Sequence, residues 1–491
     1  MKIKEVLRDI EYEADTEIEE LEFSSISFRE KEIGENTLYI KIKSTDKSRA
    51  DINTVNPNIT PIAEVSEERP ENLNPDIPFI KVENARRALS FAFFRFFKID
   101  LTKIKLIGVT GTNGKTTTAT MIEKIISDNG KRVGFIGTGR ISSGGFPLTD
   151  EYYSMTTPDP DRLYSVLSRM INDGCEYAVM EISSHSLALE KIAPLRFEVC
   201  VFTNISHEHL DFHESIEDYF RTKMKLFDQS AYSIFNIDDP LVRNGYSEFC
   251  NEKESVGILF DADTLAKEPR SLGFGGSVYL HRSKKFIFKM NLPLVGVYNI
   301  YNALLAVSAA VRLGFTPKSA KIALESMSSP RGRFEIIEDK ITVIIDYAHT
   351  PKAMENAIKT VNSCKNSGQK SIVVFGCGGN RDKSKRPVMG RIAELYADIS
   401  VITNDNPRDE NENVIIDDIL SGFEDKSRAV VIYSRRDAIE SAIAEADDKD
   451  IILILGKGAE KYNIDKNGIT PFDETEIVKA ALKKRHGGEQ K

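Results

Sequence analysis

The sequence lacks paired cysteines. Its five cysteines lie far apart in 491 residues and form no Cys-x-x-Cys pair. An odd number of widely spaced cysteines is typical of reduced thiols in the cytosol and argues against a disulfide framework.

Long apolar segments and an excess of basic residues are also missing. The chain has no run of about 18 apolar residues, the length that a membrane-spanning helix needs. Its first residues, MKIKEVLRDIEYEAD, contain no signal-peptide core. The net charge is −9, whereas nucleic-acid-binding domains usually carry a basic face. We therefore expect a monomeric cytoplasmic protein that binds neither membranes nor nucleic acids.

The composition is that of an ordinary globular protein, with 41% hydrophobic and 29% charged residues. A chain of this length usually folds into about three domains, and we place them at residues 1–100, 101–331 and 332–491. The first begins with charged helical sequence and continues with a predicted strand at Thr37–Ile42. A loop is predicted from Ser44 to Pro78. The strand PFIKV and the apolar helix ARRALSFAFFRFF follow.

The second segment alternates strands with helices. KLIGV at Lys105–Val109 precedes a Gly-rich turn and a helix that Gly130 ends. RVGFIG, YAVMEI, VCVFTNI and YSIFNI are further apolar runs of strand length. This alternation predicts a parallel sheet with helices on both faces.

The third segment repeats the pattern and predicts a second doubly wound domain. Ligands of such sheets bind beyond the carboxyl ends of the strands. Glycines, charged residues and a histidine collect at these ends, in four short stretches: Asp346 to His349, Gly376–Arg381, Asp405–Arg408 and Gly456–Glu460. We interpret this clustering as a ligand site.

The strongest local motif is GVTGTNGKTTT at Gly108–Thr118, between a predicted strand and a predicted helix. Backbone N–H groups and the helix end attract phosphate, Lys115 adds a positive charge, and a threonine hydroxyl can reach Mg²⁺. The general P-loop pattern places a glycine where Val109 stands, so the match is imperfect. A Gly-rich turn with an exposed lysine is the alternative interpretation.

The variant TGTNGKTT resembles the Mur ligase and folylpolyglutamate synthase superfamily. Further blocks resemble it in the same order over most of residues 80–465: TTPD (Thr156–Asp159), MEISSHSLAL (Met180–Leu189), TNISHEHLDFH (Thr203–His213), YNIYNALLA (Tyr298–Ala306), RGRFE (Arg331–Glu335), DYAHTP (Asp346–Pro351), GCGGNRDKSKRP (Gly376–Pro387), DNPR and GKGAE. The resemblance implies an α/β protein of three domains: a small α/β N-terminal domain, a central P-loop ATPase domain with a parallel sheet, and a C-terminal Rossmann-like domain.

The resemblance also implies a reaction. Family members use ATP to convert a carboxylate into an acyl phosphate, which an amine then attacks. Mg²⁺ is implied as cofactor, with Thr116, Glu181 and His209 as ligands. A carboxylate at the end of an apolar strand, as at Glu181, needs a cation; for His209 a surface or helix-capping histidine is the alternative. ATP is expected to contact Gly111, Thr112, Asn113, Gly114, Lys115, Thr116, Thr117, Asn299, Asn302, Arg333, Asp346 and His349, with His349 alternatively a loop histidine without a ligand.

Lys223 is singled out by its position on a predicted helix. Ser215 can cap the helix SIEDYFRTKMKLF, whose apolar stripe includes Lys223, whereas Lys225 lies on the polar side. An inward lysine can have a depressed pKa and a reactive amine. The resemblance implies that CO₂ carbamylates Lys223 and that the carbamate lies near a second Mg²⁺. Lys115, Lys223 and His209 are thus the expected catalytic residues. A lysine that snorkels from a half-buried helix is the alternative for Lys223.

The expected substrates follow from the same blocks. Thr156, Thr157, Ser183, Ser184 and Lys191 match positions that hold a UDP-muramoyl dipeptide in the family. The family's Asp-Ser-Arg-like uridine block is replaced here by Ser27, Phe28 and Arg29, and the predicted loop follows. The first domain, which binds the UDP end in the family, is therefore expected to have diverged here.

DNPR resembles the form found in ligases that add meso-diaminopimelate. The matching amino-acid site comprises Arg381, Asp405, Asn406, Arg408, Gly456 and Glu460. Arg408 can grip the far carboxylate with two hydrogen bonds; an ion pair with Asp409 or Glu410 is the alternative.

Other functions remain open from the sequence. A diverged relative that acts on another carboxylate fits the altered N-terminus best. Folylpolyglutamate synthase fits DNPR and the acceptor blocks poorly. A mechanical or regulatory P-loop NTPase leaves the C-terminal blocks unexplained. A non-catalytic protein leaves unexplained the retained residues Lys115, Glu181, His209 and Lys223.

Overall fold

The structure is a computed structural model that describes residues 1–18, 20–43, 60–148, 155–206, 208 and 212–488. Its described strands form three large sheets that follow one another along the chain. This arrangement confirms the predicted α/β class. The predicted domain boundaries near residues 100 and 331 fall between the sheets, and the exact limits stay a prediction.

The first sheet has five strands in the order β1-β5-β4-β3-β2. Strands β2 to β5 pair in parallel, whereas β1 is antiparallel to β5. The strands are β1 (Tyr12–Ala14), β2 (Ser25–Ser27), β3 (Thr37–Ile40), β4 (Ala63–Ser66) and β5 (Phe79–Val82), and the helices are α1 (Ile3–Val6) and α2 (Ala85–Phe96). The apolar face of α2, with Ala88 and Leu89, packs into the core shared with these strands.

The predicted loop from Ser44 to Pro78 is wrong in part. Residues 44–59 lie outside the described residues, but Ala63–Ser66 is the middle strand of the first sheet. Its four residues are too few to display a clear period, and Glu64 interrupts the apolar run. Hydrogen bonding to β3 and β5 on both sides stabilises the strand, and a local pattern cannot reveal such partners.

The second sheet has eleven strands in the order β16-β15-β14-β13-β12-β11-β6-β10-β7-β8-β9. Its strands are β6 (Lys105–Thr110), β7 (Val133–Gly137), β8 (Arg140–Ser143), β9 (Phe146–Pro147), β10 (Tyr177–Glu181), β11 (Val199–Phe202), β12 (Ser233–Asn236), β13 (Lys253–Gly257), β14 (Thr264–Ser271), β15 (Ser277–Ser283) and β16 (Ile287–Leu292). From β7 to β14 the sheet is parallel, and antiparallel hairpins extend both edges.

Helices cover both faces of the parallel part. They are α3 (Lys115–Asp128), α4 (Pro160–Asn172), α5 (Ser184–Ala188), α6 (Ile216–Met224), α7 (Pro240–Glu248), α8 (Val297–Arg312) and α9 (Pro317–Glu325). Helices α3 and α8 pack against each other over one core cluster, and α4 packs with α2 over the other. The first and second sheets therefore share part of their core.

The third sheet has six strands in the order β17-β18-β22-β19-β20-β21. All neighbours are parallel except β17, which pairs antiparallel with β18. The strands are β17 (Glu335–Glu338), β18 (Thr342–Asp346), β19 (Ser371–Phe375), β20 (Ile399–Ile402), β21 (Ala429–Val431) and β22 (Ile451–Leu455). The helices are α10 (Pro351–Cys364), α11 (Lys385–Tyr396), α12 (Glu412–Leu420), α13 (Arg435–Glu445) and α14 (Glu474–Gly488), and β23 (Tyr462–Asp465) forms a hairpin with β24 (Gly468–Pro471).

Short 3₁₀ helices complete the described elements at Glu30–Glu32, Phe227–Gln229 and Lys426–Arg428. In the part of the chain that the structure describes, no helix is long and apolar enough to cross a membrane.

Candidate active site

The Gly-rich turn joins β6 to α3, as the sequence predicts. Gly111 has a φ of +141° and Gly114 a φ of +83°, so both adopt backbone conformations that favour glycine. A Cβ atom on Gly111 would lie 2.0 Å from Thr203 Oγ1, and one on Gly114 would lie 2.5 Å from Asn302 Oδ1. The turn therefore needs glycine at both positions, for conformation and for space.

Two lysines meet at the backbone of this turn. Lys115 Nζ donates to the carbonyls of Gly111 and Thr112 at 2.9 and 2.8 Å. Lys223 Nζ donates to the Gly111 carbonyl at 3.0 Å. Burial lowers the pKa of Lys115, and the nearby carboxylates Glu208 and Glu181 oppose that shift. Lys115 thus lies beside the backbone N–H groups of the turn, an arrangement that suits a polyphosphate.

Lys223 is buried, as its place on the apolar stripe predicts. Its relative exposure is 1%, whereas Lys225 is exposed. The Ser215 hydroxyl accepts a hydrogen bond from the Asp218 N–H and caps α6. Burial, reinforced by the charge of Lys115, holds the pKa of Lys223 well below its ordinary value. A lowered pKa favours the neutral form of the amine, which is the nucleophilic form.

Glu181 lies fully buried at the end of β10, with a relative exposure of 0%. Its carboxylate accepts hydrogen bonds from the Thr116 hydroxyl at 2.9 Å and from the Thr138 N–H at 3.1 Å. A Cβ atom on Gly137 would lie 2.2 Å from Glu181 Oε1, so the glycine makes room for the carboxylate. Within the described residues Glu181 forms no ion pair, and its buried charge calls for a cation. His209, the other predicted metal ligand, lies outside the described residues.

The two asparagines among the expected ATP contacts, Asn299 and Asn302, bond to each other. Asn302 Nδ2 donates to Asn299 Oδ1 at 3.0 Å, and Asn299 Nδ2 donates to the Val295 carbonyl at 2.8 Å. Asn302 Oδ1 also accepts from the Thr118 hydroxyl. Asn302 therefore ties α8 to the phosphate-binding turn, and both amides face the same cavity.

Three residues from the third segment complete this cavity. Arg333 Nη2 donates to the Thr116 hydroxyl at 2.9 Å, and its guanidinium lies 4.2 Å from the centre of the Tyr347 ring. His349 Nε2 lies 2.9 Å from Glu208 Oε1. Asp346 accepts the backbone N–H groups of Phe334 and Ala348. Burial raises the pKa of Asp346, although Arg333 opposes that shift.

The cavity between the second and third sheets has a volume of about 500 Å³. It is lined by most of the predicted ATP-site residues: Thr112, Asn113, Gly114, Lys115, Thr116, Thr117, Asn299, Asn302, Arg333, Asp346 and His349. Glu181 and Thr156 reach the same cavity. Side chains far apart in the sequence thus meet at one opening of nucleotide size.

The predicted acceptor residues lie beside Glu181. The Thr156 and Thr138 hydroxyls are 3.0 Å apart, and the Thr157 hydroxyl donates to the Glu181 carbonyl at 2.9 Å. The Ser183 side chain caps α5. The Ser184 hydroxyl is buried and has no hydrogen-bond partner among the described residues, as expected of a group that awaits a ligand.

Lys191 and Arg29 are paired with the start of α4. Lys191 Nζ lies 2.7 Å from Asp159 Oδ1. Arg29 Nη1 lies 2.8 Å from Asp161 Oδ2, and its guanidinium stacks 4.2 Å from the centre of the Phe28 ring. The segment that matches the family's uridine block therefore contacts the second segment of the chain through an ion pair.

The predicted amino-acid residues gather at the carboxyl ends of β20 and β22. Asn406 Nδ2 donates to Glu460 Oε2 at 3.0 Å, and Asn406 Oδ1 accepts from Lys457 Nζ at 2.7 Å. Asn406 Oδ1 also accepts the Ile464 N–H of β23 at 2.9 Å. Burial and the neighbouring Asp405 raise the pKa of Glu460. The Asn406 side chain thus links Glu460, Lys457 and the hairpin.

Arg408 has the left-handed φ of +54°, and its N–H donates to the Ile464 carbonyl. Its Nη1 donates to the Gly379 carbonyl at 2.9 Å. Burial and the charge of Arg381 lower the pKa of Arg408. In the described structure neither arginine forms an ion pair, and Glu410 pairs instead with Arg386. The alternative of an Arg408 pair with Asp409 or Glu410 is therefore wrong.

Three residues of this region were missed by the sequence interpretation. Glu208 contacts His349 across the two segments, Thr138 orients Glu181, and Lys457 is buried beneath Glu460. Thr138 and Lys457 lie just after strands β7 and β22, and Glu208 lies inside a motif already quoted. A search of the residues that follow every predicted strand would have included Thr138 and Lys457. The contact of Glu208 depends on the arrangement of distant segments and has no local signal.

Comparison with known proteins gives a consistent relationship. Residues 109–310 match the Mur ligase middle domain, and residues 332–458 match the glutamate ligase domain of Mur ligases. UDP-N-acetylmuramoyl-L-alanyl-D-glutamate--2,6-diaminopimelate ligase of Clostridium tetani is 36% identical over 98% of this chain and 99% of its own length. The enzyme of that name from Aquifex aeolicus is 40% identical over 84% of each chain. A solved structure of such a ligase is 26% identical, with a TM-score of 0.68 over 99% of both chains.

Proposed function

The chain belongs to the Mur ligase family, and from this we propose that it joins meso-diaminopimelate to UDP-N-acetylmuramoyl-L-alanyl-D-glutamate in peptidoglycan precursor synthesis. ATP is converted to ADP and phosphate in the reaction. The observation that carries this proposal is the shared cavity, where Lys115, Glu181 and residues of the third segment meet beside the strand ends that bear Arg408 and Glu460.

The nucleotide is held by the turn and by the third segment together. The N–H groups at the start of α3 and the Lys115 ammonium face the phosphates. Arg333 places a further positive charge beside Thr116. Asn299 and Asn302 line the end of the cavity nearest α8. Because these groups come from two segments, closure of one onto the other assembles the site and excludes water.

The residues present fit a magnesium ion. Thr116 and Glu181 offer a hydroxyl and a carboxylate oxygen within 2.9 Å of each other, and Mg²⁺ prefers oxygen ligands. The buried Glu181 charge has no other cation in hydrogen-bonding contact among the described side chains. Bound Mg²⁺ would neutralise developing charge on the phosphates. Thr116 and Glu181 would hold it, and His209 is a proposed further ligand.

Lys223 is proposed to act as a carbamate. Its buried amine has a lowered pKa, and a neutral lysine amine adds to CO₂ with loss of one proton. The product would place a negative charge beside Gly111 and close to Lys115. Such a charge is attracted by Lys115 and is suited to a second Mg²⁺ ion nearby.

The chemistry proceeds in two steps. An oxygen of the acceptor carboxylate attacks the γ-phosphorus, and ADP leaves. The amine of diaminopimelate then attacks the acyl carbon, and the tetrahedral intermediate expels inorganic phosphate with the bridging oxygen. Lys115 and the N–H groups of the turn stabilise the charge that develops on phosphate. Ser184 and Thr156 orient the acceptor. The buried Ser184 hydroxyl has no hydrogen-bond partner in the described part of the chain.

The choice of amine rests on Arg408 and Arg381. Diaminopimelate has a carboxylate and an ammonium at each end, so its site needs cations and acidic groups together. The two guanidinium groups, which form no ion pair with any described carboxylate, supply the cations, and Asp405 and Glu460 supply the acidic groups. Lysine lacks the second carboxylate and would leave a guanidinium unpaired.

A second candidate is the same ligation with another carboxylate acceptor. It is favoured by the Arg29–Asp161 ion pair and by Phe28 in place of a small polar residue. Both features occupy the segment that the family uses for the uridine end.

The test is a coupled assay of phosphate release with ATP and each combination of acceptor and amine. The proposal requires release that depends on both substrates and a product whose mass equals acceptor plus diaminopimelate minus water. Lys115→Ala should abolish phosphate release, because it removes the positive charge that faces the phosphates of ATP. Lys124→Ala is the matched control, since Lys124 lies on the same helix and pairs with Asp128 on the surface. Release without any acceptor would favour a simple NTPase, and turnover only with a truncated acceptor that lacks UDP would favour the second candidate.

A further inference from the structure

A buried ion pair joins the first residues of two helices of the third segment. Arg435 begins α13 and Glu474 begins α14, and Arg435 Nε donates to Glu474 Oε1 at 2.6 Å. The side-chain exposures of the two residues are 3% and 0%. None of the family blocks in the sequence includes either residue.

The rest of the Arg435 guanidinium reaches two strand ends. Its Nη2 donates to the Leu455 carbonyl at 2.7 Å, and its Nη1 donates to the Asn404 carbonyl at 3.4 Å. Leu455 is the residue before Gly456, and Asn404 is the residue before Asp405. One side chain therefore holds together the two loops that carry the proposed amino-acid site.

A contribution to stability alone poorly explains why Arg435 and Glu474 form a buried ion pair at the starts of two helices. A cation in the first turn of a helix is opposed by the helix dipole. A buried ion pair adds little net stability compared with apolar residues of similar size, because both charges lose their water. The planar guanidinium instead offers several fixed N–H donors, and here they fix one carboxylate and two carbonyls at once.

Arg435 also acts on the charge of Asp405. A Cβ atom on Gly456 would lie 2.6 Å from Asp405 Oδ2, so this carboxylate packs directly against the neighbouring loop. Burial would raise the pKa of Asp405, but Lys457 and Arg435 lower it overall. The aspartate therefore stays ionised inside the protein, where it can face an ammonium group.

We propose that Arg435, held by Glu474, is a positioning residue for the amine substrate. It fixes the spacing between the loop of Asp405 to Arg408 and the loop of Gly456 to Glu460. Through this ion pair, α14, the last described helix, helps to support the site. The identity of the amine rests on the function proposed above, whereas the link between the loops does not.

The experiment compares Arg435→Met, Arg435→Lys and Glu474→Gln in the full-length protein. Arg485→Met is the matched control, because Arg485 on α14 also bonds a carbonyl, that of Ile443, and an aspartate, Asp448. Asp448 precedes β22, so this contact lies at the opposite end of the strands from the site. Should Arg435→Met fail to fold with Glu474 left unpaired, the double variant Arg435→Met/Glu474→Met removes both charges and keeps the test.

Two measurements are made on each variant. Hydrogen–deuterium exchange reports on peptides that cover residues 403–408 and 455–460, and steady-state kinetics give the KM for diaminopimelate and the KM for ATP. We expect Arg435→Met to exchange faster in both peptides and to raise the KM for diaminopimelate about tenfold or more, with the KM for ATP changed less than threefold. Arg435→Lys should recover part of the effect, Glu474→Gln should be milder, and Arg485→Met should match the wild type.

Unchanged exchange in Arg435→Met, or in the double variant, would overturn the proposed link between the loops. Faster exchange with an unchanged KM for diaminopimelate would overturn the role in substrate positioning. If the wild type does not use diaminopimelate, the proposed function fails, and the exchange measurement alone then decides whether Arg435 holds the loops.

Discussion

Arg333, on the chain that enters the third sheet, donates a hydrogen bond of 2.9 Å to the hydroxyl of Thr116 in the first turn of α3. Thr116 donates in turn to Glu181. The contact connects the third segment to the phosphate-binding turn and to the proposed metal ligand at once. The proposed nucleotide site therefore draws residues from both segments.

Arg333→Gln should raise the KM for ATP about tenfold or more, since a hydrogen bond to a charged group contributes about 1.5–3 kcal/mol. The neighbouring Arg331 pairs with Asp473 and does not reach the turn. Arg331→Gln should therefore leave the KM for ATP unchanged. Steady-state kinetics with varied ATP check both variants, and equal KM values for the two would contradict the proposed role of Arg333.

Lys223→Ala should lower kcat by about 100-fold or more, the range seen when one electrostatic group of an active site is removed. Lys225→Ala should be mild, because Lys225 is exposed. If Lys223 acts as a carbamate, added short carboxylic acids should partly restore Lys223→Ala by supplying an anion in the vacated space. Initial rates of Lys223→Ala are measured with and without formate or acetate. Rescue by a neutral amide of equal size would contradict the need for a negative charge at this position.

Arg408→Ala should abolish the preference for diaminopimelate over lysine. Leaving a buried charge without its partner costs on the order of 2–5 kcal/mol, so the wild type should discriminate by at least about tenfold. Arg391→Ala is a suitable control, because Arg391 pairs with Glu394 and Glu424 away from the strand ends. The ratio of kcat/KM for the two amines decides the matter, and a wild type that uses both equally would refute the assignment.

His281 should make the protein sensitive to acid. The ring is fully buried on β15, stacks on Phe288 and has no hydrogen-bond partner among the described residues. Burial lowers the pKa of His281 from 6.5 to about 3. Below pH 6.5 the unfolded chain binds a proton that the folded chain excludes, so the free energy of unfolding falls by roughly 1.4 kcal/mol per pH unit from this group until the pH reaches the folded pKa.

His281→Phe removes this proton binding. The variant should therefore gain stability relative to the wild type as the pH falls from 7.5 to 5, and urea unfolding at both values measures the change. A stability difference that is the same at both pH values would show that His281 does not titrate on unfolding.

The sequence predicted best those features whose residues lie close together in the chain. Gly111, Gly114 and Lys115 lie within a few residues of one another, and the two glycines occupy positions whose backbone conformation favours glycine. Lys223 was placed correctly because a helix period decides which side chains face inward. Asp405 and Glu460 lie close together because parallel strands bring their carboxyl ends to one edge of the sheet, and their role in the site stays a prediction.

Other features depend on partners far away in the chain. The strand at Ala63–Ser66 is defined by its two neighbours rather than by its own residues. The Glu208–His349 contact and the Arg29–Asp161 ion pair join segments separated by more than a hundred residues. The contacts of Asn406 with Lys457, Glu460 and the N–H of Ile464 likewise bring together residues about 50 or more positions apart.

The central claim is that the acceptor carboxylate is activated as an acyl phosphate, and an isotope experiment tests it most directly. The acceptor is prepared with ¹⁸O in both oxygens of the reacting carboxylate and incubated with the protein, ATP, Mg²⁺ and diaminopimelate. The account predicts one ¹⁸O atom in each released phosphate and one in the new amide, as measured by mass spectrometry. Phosphate that contains no ¹⁸O while the amide product forms would contradict it.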